Sequence, residues 1–496
     1  MMFAYRSAID HADVPNVPIE TLSDTFIDCC RNGWDLMAFF GIPLDGENGA
    51  ELLAVLGDPD THTLEILRSL PVRRYPSVTK ECPEAHLFER EIFEQCGVHP
   101  QGHPWLKPVR FCRSAGNGQR PGPAQANYFR IEGSEVHEVG VGPIHAGVIE
   151  PGHFRFQCYG ENVMHLEIQL GFQHRDVERL IRTLPPHAVL PLVENIAGDT
   201  AIAHATAHCT LVERLTGAEI PLRAHVLRRI ALELERLANH TRDLGAIGGD
   251  TGFLPTSAWN GRITGDFLNL TSELCGSRFG RNLLRPGGVK WDAGTALCQS
   301  LIKRLRAAYR DVRGSVDVML EAPSVLARLT GTGCVSHEAA SDLGLVGVAA
   351  RACGIARDAR FDWPLSDLES PLLRARTETA GDVRARTIVR SLELDDSAAQ
   401  AEADLQRLSY MEESNVAADV PDLPAGKIAV ALVEGWRGML CHVGVTDDRG
   451  GWLAYKVVDP SFHNWMGLAM ALRNEQISDF PLCNKSFNLS YCGHDL

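Results

Sequence analysis

The pattern of apolar positions predicts long helices in the middle of the chain. From Pro221 onward, apolar side chains recur at three- and four-residue spacing, at Leu222, Val226, Leu227, Ile230, Leu234, Leu237 and Leu244. This spacing is typical of an amphipathic helix, with proline at its first position and an end near Gly245. Similar spacing predicts a second helix through residues 297–319 and a third over about 398–412. The middle of the chain is therefore expected to be mainly helical.

Alternating apolar and polar positions predict strands on both sides of this helical region. Residues 148–150, 154–157 and 163–169 alternate with a period of two and are bounded by glycine and proline. Apolar runs at residues 427–432 and 452–458 predict two more strands, the first of them after a proline-containing loop. The pattern therefore indicates a chain that combines helices with small sheets.

Composition and charge exclude several classes of function. The chain has 48 Lys and Arg against 63 Asp and Glu, for a net charge of −15, which argues against nucleic-acid binding. No apolar run approaches the roughly 20 residues of a membrane span, and the N-terminus lacks the apolar core of a secretory signal. We therefore expect a cytoplasmic protein that reaches the inner face of the cytoplasmic membrane only through partner subunits.

Five motifs carry a resemblance to one family. FEREIFEQCGV at residues 88–98 and GHPWL at 102–106 resemble the signature of the 30-kDa-type subunit of respiratory complex I. GPIHAGVIEPGHFR at 142–155 resembles the entry motif of group 4 hydrogenase large subunits. GFQHRDVERL at 171–180 resembles a helix shared with the 49-kDa-type subunit of complex I, and DPSFHNW at 459–465 extends the match. The chain thus resembles the fused large subunits of energy-converting, membrane-bound nickel–iron hydrogenases.

The resemblance implies an α+β fold in two domains. Residues 1–112 are expected to form a small α+β domain of the complex I 30-kDa type. Residues 113–127 are expected to form a linker, because most of them are glycine, proline or polar. Residues 128–496 are expected to form a mainly α-helical domain with a small β-sheet, as in hydrogenase large subunits and the 49-kDa subunit of complex I.

The metal ligands that the family would supply are missing. A nickel–iron centre needs two Cys-x-x-Cys pairs, because four soft thiolates must converge on the metals. None of the 14 cysteines forms such a pair. Where the family reads Arg-x-Cys-Gly-x-Cys-x-x-x-His, this chain has NIAGDTAIAH, with Ala197 and Thr200 at the ligand positions. Where the family ends in Ser-Phe-Asp-Pro-Cys-x-x-Cys, this chain has SFNLSYCG, with Ser490 and Gly493. Nickel binding is therefore not expected.

The resemblance nevertheless implies residues that would line the former metal cavity. Glu150 resembles the hydrogenase glutamate that transfers protons, and Arg437 occupies the place of the arginine near the iron. Without iron, Arg437 would need a carboxylate or another polar partner. His153 and Arg155 complete the candidate catalytic set. The alternative for Glu150 is a residue at the end of a strand that Arg155 satisfies.

Quinone reduction is the other known use of the scaffold. Complex I employs a histidine on the first hairpin and a tyrosine after the His-Arg helix, but here the tyrosine position falls on Leu184 or Pro186. His145 in the hairpin and His187 near the tyrosine position are therefore candidates for contact with a quinone. For each of them, a hydrogen-bonded structural role is the alternative.

Two further features leave alternatives open. His204 and His208 are i and i+4 neighbours on a predicted helix, which fits either half of a metal site or two structural histidines. Cys492 lies one residue before the last ligand position, where a slip of one residue in extended chain would turn its side chain away. With Cys483 it could bind something soft, or both could be free thiols. No phosphate-binding or dinucleotide-binding glycine motif is present.

These observations predict a metal-free large subunit of a membrane-associated, complex I-like complex. The chain itself is expected to bind no cofactor. Electrons would come from an iron–sulfur cluster on a small partner subunit, quinone is a possible acceptor, and membrane subunits would move ions. One alternative is a non-catalytic structural or assembly subunit, favoured if Leu184, Ile196 and Leu489 fill the cavity. An active hydrogenase is disfavoured, because alanine and glycine offer no donor atoms and hydroxyl oxygens are too hard for this metal centre.

Overall fold

The structure, a computed structural model, describes residues 1–44, 49–111, 127–145, 149–368 and 372–496. All of the predicted linker except residue 127 lies outside the described residues, as do residues 146–148 of the hairpin motif. The strands of the described residues are β1 Met2–Ala4, β2 Ile9–Asp10, β3 Asn16–Val17, β4 Asp35–Pro43, β5 Ala50–Asp58, β6 Thr63–Ser69, β7 Arg74–Pro76, β8 His99–Gln101, β9 Val136–Val141, β10 His153–Tyr159, β11 Asn162–Gln169, β12 Leu284–Arg285, β13 Gly288–Val289, β14 Lys427–Glu434, β15 Met439–Thr446 and β16 Trp452–Val458.

The helices surround and connect these strands. Those of the described residues are α1 Ile19–Arg31, α2 His86–Cys96, α3 Val177–Thr183, α4 Pro186–Val193, α5 Ala201–Thr216, α6 Leu222–Asp250, α7 Leu254–Cys275, α8 Thr295–Glu321, α9 Pro323–Leu329, α10 His337–Asp342, α11 Gly347–Arg351, α12 Ala359–Asp362, α13 Val383–Tyr410, α14 Pro460–Ala471, α15 Phe480–Phe487 and α16 Tyr491–Asp495. The α+β class is therefore confirmed.

The N-terminal region is built on a five-stranded sheet. Its strands run in the order β1-β6-β5-β4, with β3 added in parallel at β6. Helix α1 places Ile19, Leu22 and Phe26 in the core at three- and four-residue spacing, so an apolar stripe holds it on the sheet. Helix α2 packs against β4. This region therefore has the mixed helix and sheet character that the resemblance implied.

A second sheet joins the N-terminal and C-terminal parts of the chain. The antiparallel order β16-β15-β14-β2 places Ile9 of β2 opposite Ile428 of β14. Phe88 of α2 also meets Phe462 of α14 with ring centroids 5.0 Å apart, inside one apolar cluster. The two predicted domains therefore share a core. The apolar pattern did not predict β15. Residues 128–496 contain several sheets, whereas one small sheet was predicted there.

Helices α6, α7, α8 and α13 form a bundle beside these sheets. Helix α8 agrees with its prediction, whereas α6 continues past its predicted end. Gly245 lies inside α6, where a Cβ atom would come within 2.8 Å of Asn260 Cβ, so this glycine serves close helix packing and does not end the helix. Helix α13 begins at Val383, well before its predicted start, because Asp382 caps it and its first turns bury charged residues that interrupt the apolar pattern.

A three-stranded antiparallel sheet, β11-β10-β9, carries the hairpin motif. Gly152 precedes β10 and lies so close to the ring of Tyr491 that a Cβ atom would approach it to 2.6 Å. The hairpin therefore packs against the C-terminal segment. Among the described residues, no helix combines the length and the apolarity needed to cross a membrane.

Candidate functional site

The first ligand segment, residues 197–200, is a buried turn that leads into α5. Ala197 and Thr200 are 0% and 1% exposed, and Thr200 donates its backbone N–H to the Ala197 carbonyl at 3.0 Å. The Thr200 hydroxyl accepts from Arg437 Nη1 and Trp436 Nε1, both at 3.1 Å, and donates to Asp199 Oδ1 at 3.0 Å. This hydroxyl therefore has no lone pair to spare for a metal.

Arg437 forms a bidentate ion pair with Asp199. Its Nη1 and Nη2 donate to the two carboxylate oxygens at 2.7 and 2.8 Å, and its guanidinium lies 3.9 Å from the ring centroid of Trp436. Burial would raise the pKa of Asp199, but the charge and hydrogen bonds of Arg437 outweigh it and hold that pKa below its ordinary value. The arginine predicted near the absent iron thus has a carboxylate partner within the chain.

The second ligand segment, residues 490–493, is helical at its end and does not continue as extended chain. Ser490 caps α16 by accepting the backbone N–H of Gly493 at 2.9 Å. Gly493 faces Asp459, and a Cβ atom there would lie 2.6 to 2.9 Å from the carboxylate atoms. The position that holds a cysteine in the family therefore has no room for a side chain. The prediction that a slip in extended chain turns Cys492 away is wrong, because a helical turn does not alternate its side chains.

Two arginines connect the first segment to the second. Arg175 donates to the carbonyls of Asn195 at 2.7 Å, Ile196 at 2.8 Å and Cys492 at 3.0 Å. Arg437, already bound to Asp199, donates from Nε to the carbonyl of Asn488 at 2.6 Å. A planar guanidinium with five donors can bridge several carbonyls in this way. The chain therefore joins by hydrogen bonds the two segments that a metal would bridge in the family.

A nickel–iron centre does not fit these residues. Ala197 and Gly493 carry no donor atom, and the hydroxyls of Thr200 and Ser490 are engaged as described. Elsewhere in the described residues, no group of three or more His, Cys, Asp and Glu side chains could hold a metal ion. Cys483 and Cys492 have different surroundings: burial raises the pKa of Cys483 to about 12, whereas burial and Glu150 raise that of Cys492 to about 11.

Glu150 lies beside this second segment. It is partly buried, and its charge acts on both Cys492 and Tyr491. The alternative that Arg155 satisfies Glu150 is wrong: Arg155 pairs with Glu138 on β9, and its guanidinium lies 4.7 Å from the ring centroid of Tyr128. Glu150 therefore lies next to the second segment, whereas Arg155 contacts Glu138 and Tyr128.

The candidate histidines are divided between two places. His145 and His153 are at the hairpin, where His145 Nε2 lies 3.0 Å from the Gly152 carbonyl and His153 Nδ1 lies 3.1 Å from the Gly142 carbonyl. Both rings hold the backbone of the loop in place. His187 is exposed at the start of α4. These histidines do not form one constellation with Arg437.

A small cavity adjoins the first segment. It has a volume of about 40 Å³, and polar and apolar side chains both line it: Asp199, Glu235, Asn239, Arg242, Thr264, Thr271 and Arg278, together with Ile202, Ala238, Leu268 and Phe279. Such a volume holds one or a few water molecules. The three apolar residues that were expected to fill the cavity do not meet there: Leu184 and Ile196 belong to one apolar cluster, and Leu489 belongs to another.

Glu235, which lies next to the first segment, was not predicted as a site residue from the sequence. Its carboxylate accepts the N–H groups of Ile202 at 2.8 Å and Ala203 at 3.3 Å, in the first turn of α5. Burial raises the pKa of Glu235 to about 8. Asp199 and Arg175 were also missed, although both lie inside motifs that sequence analysis singled out. Their roles depend on partners that are distant in the chain.

Comparison with known proteins defines the class to which this fold and site belong. The family model of the respiratory-chain NADH dehydrogenase 49 Kd subunit matches residues 250–421, and that of the 30 Kd subunit matches residues 34–116. Both types of complex I subunit are therefore fused in one chain. The chain belongs to the family of group 4 hydrogenase large subunits and their complex I relatives.

Individual relatives agree with this class. Hydrogenase-4 component G of Escherichia coli K12 is 31% identical over 84% of this chain and 75% of its own length. Formate hydrogenlyase subunit 5 of the same strain is 31% identical over 84% of this chain and 76% of its own length. A solved structure of the membrane-bound sulfane sulfur reductase, an archaeal respiratory membrane complex, matches with a TM-score of 0.65 at 23% identity. That match covers 74% of this chain and 100% of the other, and it shows the shared fold.

Proposed function

We propose that this chain is the metal-free large subunit of a membrane-associated complex related to energy-converting hydrogenases and complex I. It would couple electron transfer from an iron–sulfur small subunit to a membrane arm that moves ions. The observation that carries the proposal is the pair of ligand segments. Their four ligand positions lack sulfur, and arginines link the segments in place of a metal.

The electrostatics of this site support a role without nickel. A positive metal centre next to Arg437 would compete with it for the Asp199 carboxylate, whereas the existing bidentate pair already neutralises both charges. The side chain of Arg437 is 5% exposed and that of Asp199 is 27% exposed, so the pair is largely shielded from solvent. The site is organised as a stable part of the folded chain.

The partners and location follow from the relatives. One of them is named as part of a membrane-bound hydrogenase, from Pyrococcus furiosus, and others are named as parts of an NADH-quinone oxidoreductase. For this chain we propose the corresponding partners: an iron–sulfur small subunit of the complex I 20-kDa type and membrane subunits of an ion-translocating arm. These would hold it at the inner face of the cytoplasmic membrane, with quinone as a possible acceptor.

A structural or assembly subunit is the second candidate, and the size of the cavity favours it. The space of about 40 Å³ beside Asp199 is far smaller than the roughly 300 Å³ or more of a typical ligand pocket. A quinone ring would therefore need a different position, such as the hairpin that carries His145. The charged side chains of Asp199, Glu235 and Arg242 in the lining of this cavity argue against a site that has simply filled with apolar side chains.

The first test is elemental analysis of the complex purified through this chain. We expect no nickel, and we expect iron only in preparations that retain the small subunit. The matched control is the chain purified alone under the same conditions, which should carry neither metal. Nickel near one atom per chain would contradict the proposal, because the chain would then bind nickel without the four thiolates of the family.

The same preparation separates the two candidate functions. Nickel-free complex that reduces a soluble quinone supports the redox role, since electrons then leave through the large subunit. Nickel-free complex with a full set of partners but without electron transfer to quinones or other acceptors supports the structural role.

A further inference from the structure

Five side chains form a continuous hydrogen-bonded chain through the core. Asp459 Oδ2 lies 3.1 Å from His204 Nε2, and His204 Nδ1 lies 3.2 Å from His442 Nε2. His442 Nδ1 lies 2.9 Å from the Tyr455 hydroxyl, which lies 2.9 Å from His208 Nδ1. The chain thus connects the turn before α14 with α5, β15 and β16. His204 and His208, which a metal could have shared, are instead separate members of this chain.

The chain is almost completely shielded from solvent. His204 and His442 are 0% exposed and Asp459 is 1% exposed, whereas Tyr455 and His208 each keep 4%. The Asp459 end lies at the second ligand segment, where its carboxylate faces Gly493. The small exposed surface is therefore at the end formed by Tyr455 and His208, and the closed end is Asp459, beside the second ligand segment.

Burial keeps the middle of this chain uncharged at neutral pH. Desolvation lowers the pKa of His208 to about 4 and, with the nearby histidines, lowers that of His442 well below its ordinary value. Desolvation also raises the pKa of the Tyr455 hydroxyl. Burial would raise the pKa of Asp459, but the hydrogen bond from His204 and the charge of Arg437 hold it below its ordinary value. The neutral rings of His442 and His208 thus lie on a path that ends at a carboxylate.

Only one order of donors satisfies every member when Asp459 is ionised and the three histidines are neutral. A carboxylate accepts, so His204 must donate from Nε2 and accept at Nδ1. His442 must then donate from Nε2 and accept at Nδ1 from the Tyr455 hydroxyl. The Tyr455 oxygen in turn accepts from His208 Nδ1. All donors therefore point toward Asp459, and each ring that donates has its other nitrogen ready to accept.

We propose that Asp459, His204, His442, Tyr455 and His208 form a proton relay between His208 on α5 and the second ligand segment. This role goes beyond the proposed function and does not depend on which acceptor the complex uses. A neutral imidazole can take a proton on one nitrogen while it releases a proton from the other.

One transfer reverses the whole chain. A proton arrives at His208 Nε2, and the Nδ1 proton of His208 moves to the Tyr455 oxygen. The Tyr455 proton moves to His442 Nδ1, the His442 Nε2 proton moves to His204 Nδ1, and the His204 Nε2 proton moves to Asp459 Oδ2. Every member, the new carboxylic acid included, ends uncharged, and all donors now point toward His208. A proton can therefore return from Asp459 to His208 along the same path, which makes the relay reversible.

Proton exchange at the buried histidine rings tests the proposal without an activity assay. The full chain, labelled with ¹⁵N-histidine, is transferred to D₂O, and loss of the ring N–H signals of His204 and His442 is followed by NMR. In the relay, deuterons reach these rings through His208 and Tyr455. Tyr455→Phe keeps the ring but removes the hydroxyl, so exchange should become slower by about tenfold or more, because it must wait for local opening.

A merely structural network predicts the opposite sign. Loss of a buried hydrogen bond costs about 1 kcal/mol and eases local opening, so exchange in Tyr455→Phe would then be several-fold faster. Tyr5→Phe is the matched control, because Tyr5 also donates a buried hydroxyl, to the Leu432 carbonyl at 2.8 Å, outside the chain. Exchange in Tyr455→Phe that is unchanged or faster would overturn the relay.

Ring tautomers provide a second, independent test. Asp459 Oδ1 accepts the Ser461 N–H at 2.7 Å, so in Asp459→Asn the amide oxygen should keep this cap and the NH₂ group should face His204. The chain should then reverse, and His208 should change from an Nδ1–H to an Nε2–H ring. Adding Tyr455→Phe should stop the change before His208. A His208 ring that ignores Asp459→Asn, or wild-type rings of mixed direction, would overturn the proposal.

Discussion

The two segments that correspond to the ligand pairs are held by different forces. At the first segment, a buried charge pair between Arg437 and Asp199 carries most of the contacts. At the second, Ser490 caps a short helix with a neutral hydrogen bond, and Gly493 packs against Asp459 without a side chain. Both segments have lost the same ligand type. The two segments are therefore held in two ways, one through charge and one through close packing.

The difference between the segments affects how each responds to change. A buried ion pair is directional and depends on the presence of both partners, so the loss of one partner leaves a charge without compensation. A neutral cap contributes little free energy but fixes the path of the backbone. We therefore expect the first segment to be sensitive to charge and pH, and the second to be sensitive mainly to side-chain size.

The largest effect is expected for Arg437→Ala. The variant would leave Asp199 without its partner and remove the hydrogen bond to the Asn488 carbonyl. Because breaking a buried pair costs about 3 to 5 kcal/mol and Asp199 is partly exposed, we expect the free energy of unfolding to fall by about 3 kcal/mol. Urea unfolding of the full chain measures it.

Arg449→Ala is the control for this prediction. Arg449 pairs with Asp448 at 4.0 Å, but both side chains are 89% exposed, and such pairs contribute almost nothing to stability. The unfolding midpoint of this variant should match that of the wild type. If Arg437→Ala and Arg449→Ala lower the free energy of unfolding equally, the proposed contrast between the two segments is wrong.

The second prediction concerns pH and Glu235, which caps α5 directly after the first segment. Its pKa in the folded chain is about 8, above the 4.5 of an unperturbed glutamate. The folded state therefore binds the proton more tightly than the unfolded state. This contribution to stability is complete below about pH 4.5 and is lost as the pH rises through about 8, by roughly 1.4 kcal/mol per pH unit.

Glu235→Gln should flatten this dependence, because the amide does not titrate. Urea unfolding at several pH values between 5 and 8 gives the slope for both proteins. Glu338→Gln, at an exposed position of α10, is the matched control. If wild type and Glu235→Gln lose stability equally with rising pH, Glu235 does not bind the proton as described.

The smallest effect is expected for Ser490→Ala at the second segment. Loss of the cap on α16 should lower the free energy of unfolding by about 1 kcal/mol, as for other N-caps. Ser336→Ala removes the equivalent cap of α10, where Ser336 accepts the Ala339 N–H at 3.1 Å, and should cost a similar amount. If Ser490→Ala lowers the free energy of unfolding as much as Arg437→Ala does, the second segment is also held by more than packing.

Much of the fold could be predicted from local pattern. The apolar spacing identified α8, the start of α6 and the strands β14 and β16, because each buries one regular face. The pattern failed at β15, where His442 interrupts an apolar run, and at the start of α13, where Arg386 and Arg390 are buried. In both elements polar side chains face the interior and find partners there, which a pattern of apolar residues does not register.

By itself the sequence determined the chemical identity of the ligand positions. Alanine, threonine, serine and glycine cannot supply four thiolates in any fold, so the loss of the nickel–iron ligands needed no structure. Only the tertiary structure decided what replaces them. Arg437 pairs with Asp199, Arg175 with the Cys492 carbonyl, and His204 with Asp459, and in each pair the two residues are distant in the chain. Such pairs form only when packing brings distant segments together, because a hydrogen bond requires contact and local sequence does not encode it.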